Sequence, residues 1–197
     1  MMTRDEEYHR IRTFAEGTAM SVQGTSGAGP QPDRPNIPYG LRAPDEGVGL
    51  LPWSRVAERM RHAYVYWVAT ASPENRPHVI PVWGVWLDET FYFSNGPTTR
   101  TGRNLAANSS VAVHLESGED VVIIEGAVEP IDDVALVDRI NDAYARKYLW
   151  HERVEGWYGL RAEAAFAWLC PSIGLGAESV YAGSATRWRF GPGAPSV

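Results

Sequence analysis

From Tyr64 onward the chain runs through five segments rich in β-branched and aromatic residues: YVYWVATA, HVIPVWGVWL, TFYFS, VAVHLE and VVIIEGAVEPI. All but one of the links between them are short polar turns, such as SPENRP, Asp88-Glu89 and SGED. Turns of that length cannot carry the dozen or more residues that a parallel crossover needs, so successive strands must lie antiparallel. Two further β segments, AFAWLC and ATRWRF, close the chain after a single late helix, DDVALVDRINDAYARKYLW. There is no βαβ alternation, no GxGxxG behind a strand and no Walker pattern, which removes doubly wound and P-loop architectures. The expected class is mainly β, an antiparallel barrel with helices outside it.

Residues 1–50 differ from the rest. EGTAMSVQGTSGAGPQPDRPNIPYG is rich in Gly, Pro and Ser with little apolar periodicity, and reads as a flexible N-terminal arm. Residues 51–197 form the expected domain, and 44% hydrophobic residues give it material for one substantial core. LPWSRVAERMRHA opens it as a short helix, with Val56, Met60 and Ala63 at helical spacing. The late helix places Val137, Ile140, Tyr144 and Tyr148 on one stripe, with Asp132 and Asp133 at its positive end.

Charge and rare residues exclude several functions. A net charge of -6 opposes general binding to nucleic acid or acidic membranes, so any anionic ligand needs a local basic site. Cys170 is the only cysteine and cannot form an intrachain disulfide. No secretory segment or membrane-spanning apolar run is visible, and a cytoplasmic location is expected. Five scattered histidines without HExxH give no metal site, and no GxSxG elbow supports a serine hydrolase. Lys147, the only lysine, lies in a helical stretch beside no phosphate motif, which argues against pyridoxal phosphate chemistry.

Two stretches can carry a site. NGPTTRTGRNLAANSS follows a strand, turns at Gly96-Pro97 and starts a helix, so unpaired N–H groups, the Thr98 and Thr99 hydroxyls, Arg100 and Arg103 converge at one end. Arginine there opposes the helix dipole and needs an anion or a carboxylate nearby. The stretch is either an anion cradle or a solvated helix start. The second is RPHVIPVWGVW, whose alternation puts His78, Ile80, Val82 and Gly84 on one face and Val79, Pro81, Trp83 and Val85 on the other. Pro81 removes a ladder donor, which suits an edge strand lying against a flat heterocycle, or one packing its aromatics into a core or interface.

Taken in order, LPWSRVAERM, YWVAT, RPHVIPVWGVW, YFSNGPTTRTGRNLAAN, VAVHLESGEDVVIIEG and ATRWRF resemble the pyridoxamine 5'-phosphate oxidase-like split β-barrel family, and within it the actinobacterial deazaflavin-dependent oxidoreductase branch. The resemblance spans about residues 50–190. It implies a six-stranded antiparallel split barrel that forms a homodimer, with flavin or deazaflavin sites in grooves between the subunits. By position, Ile80, Pro81, Val82 and Trp83 match the strand beside the ring system. Ser94 and Asn95 match the end of the next strand, and Thr99, Arg100, Thr101 and Arg103 match the phosphate loop and helix start. Trp188 matches an aromatic at the cofactor groove. Many members carry lysine where this chain has Thr101, and Arg103 is placed to compensate.

The resemblance implies hydride transfer from reduced coenzyme F-420 to a conjugated small molecule. The alternatives are an FMN-dependent oxidase or reductase, and a non-catalytic protein that binds flavin, deazaflavin or haem. No protein catalytic residue is assigned, since the cofactor carries the chemistry.

Overall fold

The computed structural model describes residues 30–35, 49–170 and 177–191. Of the arm expected over 1–50, only residues 30–35 and 49–50 fall within it, and the remainder lies outside the described residues. Pro32–Asp33 forms a short strand, β1. The domain opens with helix α1, Trp53–His62, which buries Val56, Ala57 and Met60. Strands β2 (Tyr66–Ala71), β3 (Pro77–Val82), β4 (Gly84–Leu87) and β5 (Thr90–Ser94) follow, then helix α2 (Arg100–Ala107). Strands β6 (Ser110–His114) and β7 (Asp120–Pro130) precede helix α3 (Val134–Tyr148), strand β8 (Trp157–Leu169), helix α4 (Ala177–Ser184) and strand β9 (Thr186–Arg189).

Every strand pairing is antiparallel, in the order β1-β9-β8-β7-β6-β2-β3, with β4 pairing β5 and β5 pairing β8. The expected antiparallel β class is therefore present. The count differs: among the described residues there are nine strands, not six, and the path does not close on itself. Strand β1 is one addition, and it pairs at one end with β9, the expected ATRWRF segment. Another arises because HVIPVWGVWL, expected as one strand, breaks at Trp83 into β3 and β4. Strand β8 starts at Trp157, well before the AFAWLC segment seen in the sequence, and gives its first residues to β5 and its later ones to β9.

Local chemistry explains the turns. Asp88 and Glu89 both take positive φ, 49° and 58°, as a two-residue hairpin between right-twisted strands demands. Asn75, at φ 59°, serves the β2–β3 turn. Helix α3 begins with Asp133 accepting the Leu136 N–H at 2.8 Å, an N-cap that the acidic pair in the sequence anticipates.

The inner face of the sheet and α1 enclose a core that includes Tyr66, Val68, Phe91, Phe93, Ile124 and Trp188. A second, smaller cluster forms where α3 covers β4, with Val85, Tyr92, Ile140 and Trp157 at its centre. That second cluster positions the candidate site. Val85 shares a face with Val79, Pro81 and Trp83, but α3 buries it to 2% exposure, whereas Val79 and Trp83 remain 46% and 41% exposed. No helix among the described residues is long and apolar enough to cross a membrane.

Candidate functional site

Among the described residues β3 is an edge strand, pairing only with β2. The Ser72 N–H donates to the Arg76 carbonyl at 3.0 Å, which makes those two a hydrogen-bonded pair. Counting along the register, His78, Ile80 and Val82 turn their peptide groups toward β2, and Pro77, Val79 and Pro81 turn theirs toward the free edge. Prolines have no N–H, so Val79 carries the single donor on that edge, beside the carbonyls of Val79 and Pro81. An edge so short of donors resists pairing with another strand. Its one donor beside carbonyl acceptors suits a ring edge that places an acceptor next to a donor.

Side chains follow the same two-residue period. Ile80 and Val82 point inward and pack with the main core, so two of the expected ring-facing residues do not offer their side chains to a ligand. Val79, Pro81 and Trp83 form the exposed row instead. At its far end Trp83 stacks on Tyr148, with ring centroids 4.8 Å apart and planes 5° from parallel. Tyr64 and Trp150 meet Trp83 edge-on at 6.3 and 6.4 Å.

The other end of β3 abuts the start of α2. Thr99 is the N-cap: its Oγ1 accepts the Gly102 N–H at 2.9 Å and lies 2.8 Å from the Gly96 carbonyl, with Asn95 Oδ1 also in contact. Gly102 is needed for this turn, since a Cβ there would stand 2.3 Å from the Gly96 carbonyl oxygen. Ser94 Oγ donates to the Glu155 carbonyl at 2.5 Å, and the Asn95 N–H donates to Gly156 O at 3.2 Å. Asn104 Nδ2 donates to Thr70 Oγ1 at 2.9 Å, fixing α2 on the β2–β3 hairpin. Ser94, Asn95 and Thr99 thus build the loop, with their oxygens engaged inside it.

Arg100 and Arg103 are both exposed on this helix start. Arg100 Nη2 makes a long contact, 3.5 Å, to the Pro77 carbonyl at the head of the free edge, and Arg103 Nη1 donates to the Thr98 carbonyl at 2.5 Å. Among the described residues neither forms an ion pair. Two cations at the positive end of a helix therefore face water without a carboxylate. The helix's first amides, Arg100 and Thr101, have no acceptor one turn earlier by construction.

Two expected contacts are corrected. Thr101 is 1% exposed and turns away from this surface, because position 101 falls on the side of α2 that packs onto the domain with Asn104 and Leu105. The lysine expected there is therefore not missing from an exposed cradle. Trp188 is fully enclosed, paired with Ala165 and edge-on to Trp53 at 5.6 Å, since Thr186 and Trp188 take the inward positions of β9. It is a core residue, not a groove aromatic. What the sequence reading passed over is Val79, and with it Tyr64, Tyr148 and Trp150 around Trp83. The alternation of RPHVIPVWGVW signals Val79, whereas the other three come from distant segments.

The donor set fits a phosphorylated, ring-bearing cofactor. Unpaired guanidinium groups and helix amides stand at one end, and a flat apolar row with an acceptor-rich edge runs from them. From Pro77 to Pro81 the strand spans about 13 Å. Among the described residues no cluster of His, Cys, Asp and Glu could hold a metal ion.

The architecture is an open antiparallel sheet with helices on its flanks. The sequence matches the family described as pyridoxamine 5'-phosphate oxidase over residues 53–170, more than half its length, and the chain belongs to that family. No curated protein matches it significantly. Among solved structures, it is similar to the conserved hypothetical protein Rv2991 from Mycobacterium tuberculosis, at 16% identity and TM-score 0.55, over 66% of this chain and 89% of that one. A putative pyridoxamine 5'-phosphate oxidase from Listeria innocua is 14% identical with TM-score 0.50, over 58% of this chain and 95% of its own. A putative 5-nitroimidazole antibiotic resistance protein from Bacteroides thetaiotaomicron is 17% identical with TM-score 0.50, over 58% and 81%. At these identities the likeness is one of fold.

Proposed function

We propose that the chain is an oxidoreductase that uses reduced coenzyme F-420 to reduce a conjugated small molecule. The observation that carries this reading is the pair Arg100 and Arg103, without carboxylate partners among the described residues, at the head of an exposed apolar edge strand. A deazaflavin, when bound, supplies the hydride. The chain's own residues bind and orient. Arg100 and Arg103, with the Arg100 N–H at the start of α2, hold the phosphate by charge-assisted bonds. The Val79 N–H and the Val79 and Pro81 carbonyls read the polar edge of the ring, while Pro81 and Trp83 supply its apolar wall. The Trp83 indole also keeps water from that end of the row.

A second copy of the chain completes the groove in this reading. Support comes from the outer sheet face, where Pro81, Trp67, His114 and Ile123 lie in register across four strands, none of them fully buried. Trp67 and His114 stack there at 6.2 Å. Sedimentation velocity distinguishes monomer from dimer directly.

The deciding experiment titrates FMN and coenzyme F-420 separately into the purified protein, following tryptophan fluorescence, and then assays reduction of an enone panel. Saturable F-420 binding with turnover is expected. Stoichiometric FMN binding without F-420 binding would replace this reading by an FMN-dependent oxidase or reductase, and F-420 binding without turnover by a carrier.

A further inference from the structure

The strand that carries the exposed row changes partners at a single residue. β3 pairs with β2 as far as Val82, and β4 pairs with β5 from Gly84. Trp83 stands between the two registers with no residue opposite it in either. The sheet therefore does not fix its peptide.

Its neighbour Gly84 is held instead. A Cβ at Gly84 would lie 2.5 Å from the Phe91 ring and 2.6 Å from the Tyr92 carbonyl oxygen, so the bare backbone is pressed onto β5. Both polar atoms of Gly84 are then taken by the last turn of α3. Its N–H donates to Tyr148 Oη at 3.0 Å, and its carbonyl accepts from Lys147 Nζ at 2.9 Å. Tyr148 Oη lies 2.8 Å from that same carbonyl and 2.9 Å from the Tyr64 carbonyl.

A phenol has one proton and can donate to only one of these carbonyls. Lys147 removes the conflict. Its ammonium satisfies the Gly84 carbonyl, and Tyr148 then donates to Tyr64 O while accepting the Gly84 N–H. The ammonium's second bond goes to Tyr66 Oη at 2.7 Å, which passes its own proton to the Met60 carbonyl at 2.5 Å. Nζ also sits 4.6 Å from the centroid of the Tyr66 ring.

We infer that Lys147 and Tyr148 are positioning residues for Trp83: by clamping both peptide groups of Gly84, α3 fixes the indole that ends the exposed row, where the sheet cannot. The Tyr148 ring completes the device by stacking on that indole. A charged group is a costly choice for this place, since burial opposes its ionisation, and a methionine of similar length would pack without that cost. What methionine lacks is the donor that Gly84 O requires.

The consequence for ligand binding rests on the proposed groove, but the clamp itself does not, and the test separates them. Lys147→Met keeps the bulk and removes the donor. Tyr148→Phe keeps the stacked ring and removes the hydroxyl. In protein free of cofactor, the near-ultraviolet circular dichroism owed to Trp83 is the difference between wild type and Trp83→Ala. That difference is expected to collapse in both clamp variants while the far-ultraviolet spectrum is kept. FMN and F-420 are then titrated separately. Lys147→Met is expected to weaken the bound one about tenfold when Trp83 is present and less than about twofold in a Trp83→Ala background.

An unchanged Trp83 signal in both variants overturns the inference, as does an equal loss of affinity in the two backgrounds. Should Lys147→Met fail to fold, Tyr148→Phe carries both readouts alone. If Trp83→Ala leaves both affinities untouched, the groove reading fails and the dichroism still decides the clamp.

Discussion

Two of the three arginines of α1, Arg55 and Arg59, and the two of α2 stand about one turn apart, and the fold treats the two pairs differently. Arg55 and Arg59 on α1 converge on Asp120 at the start of β7, at 2.7 and 3.3 Å, and Asp120 is itself 7% exposed. Among the described residues Arg100 and Arg103 on α2 reach only the carbonyl oxygens of Pro77 and Thr98. The first pair ties a helix to the sheet. The second leaves its charge to solvent at the end of a helix whose dipole already favours an anion. Similar spacing therefore ties a helix down where a carboxylate closes the pair and leaves charge exposed where none among the described residues does.

The largest expected effect breaks the closed pair. Asp120→Ala removes the carboxylate that Arg55 and Arg59 share and should cost about 2–3 kcal/mol in urea unfolding, below the full cost of a dry pair because Arg59 keeps contact with water. A loss near zero would mean that α1 is held by its buried face and its Glu89 contacts without help from Asp120. Next, Arg100→Ala should weaken cofactor binding by about 1.5–3 kcal/mol in a calorimetric titration if it makes a charge-assisted phosphate bond. Its unfolding free energy should stay within about 0.5 kcal/mol of wild type. The reverse pattern, lost stability with intact affinity, would make Arg100 the structural equivalent of Arg55.

Smaller effects sharpen the contrast. Thr99→Ala removes the N-cap of α2 and should cost about 1 kcal/mol of stability, with Thr99→Gly recovering most of it. A separate signal is in pH dependence. Burial pulls the Lys147 ammonium down to about 8 from 10.5, so between those values the unfolded chain binds more protons and stability rises with pH. Burial pushes the Tyr148 phenol up to about 12 from 10.0, so above pH 10 the folded state holds more protons and stability falls again. Lys147→Met should abolish the rising limb and leave the falling one, as followed by thermal melts across that range.

Much of the frame was readable before the structure. The strand segments, the Asp88-Glu89 hairpin, the α2 start behind Gly96-Pro97 and the α3 stripe with Ile140 and Tyr148 all lie where periodicity and turn chemistry put them. The first half of β8 was not, because Gly159, Arg161 and Glu163 interrupt its apolar run, and its pairing with β7 rather than its composition makes it a strand. Helix α4 and strand β1 also escaped. The latter holds on β9 through the Arg187–Asp33 contact at 2.7 Å, a partner 154 positions away. For the site, the alternation placed Val79, Pro81 and Trp83 together correctly. It could not say that Ile80, Val82, Thr101 and Trp188 face inward.

By itself, the sequence determined the antiparallel β character and the helix start that gathers Arg100 and Arg103. Both rest on local physics: a period of two, turns too short for crossovers, and backbone amides left over at a helix end. Only the tertiary structure decided which face of β3 stays open. Nothing in RPHVIPVWGVW distinguishes Val85 from Val79, yet α3 covers the first and stops at Tyr148, short of the second. That choice is made by contacts between residues far apart in the chain, Lys147 and Tyr148 on Gly84, and such contacts leave no period for a sequence to display.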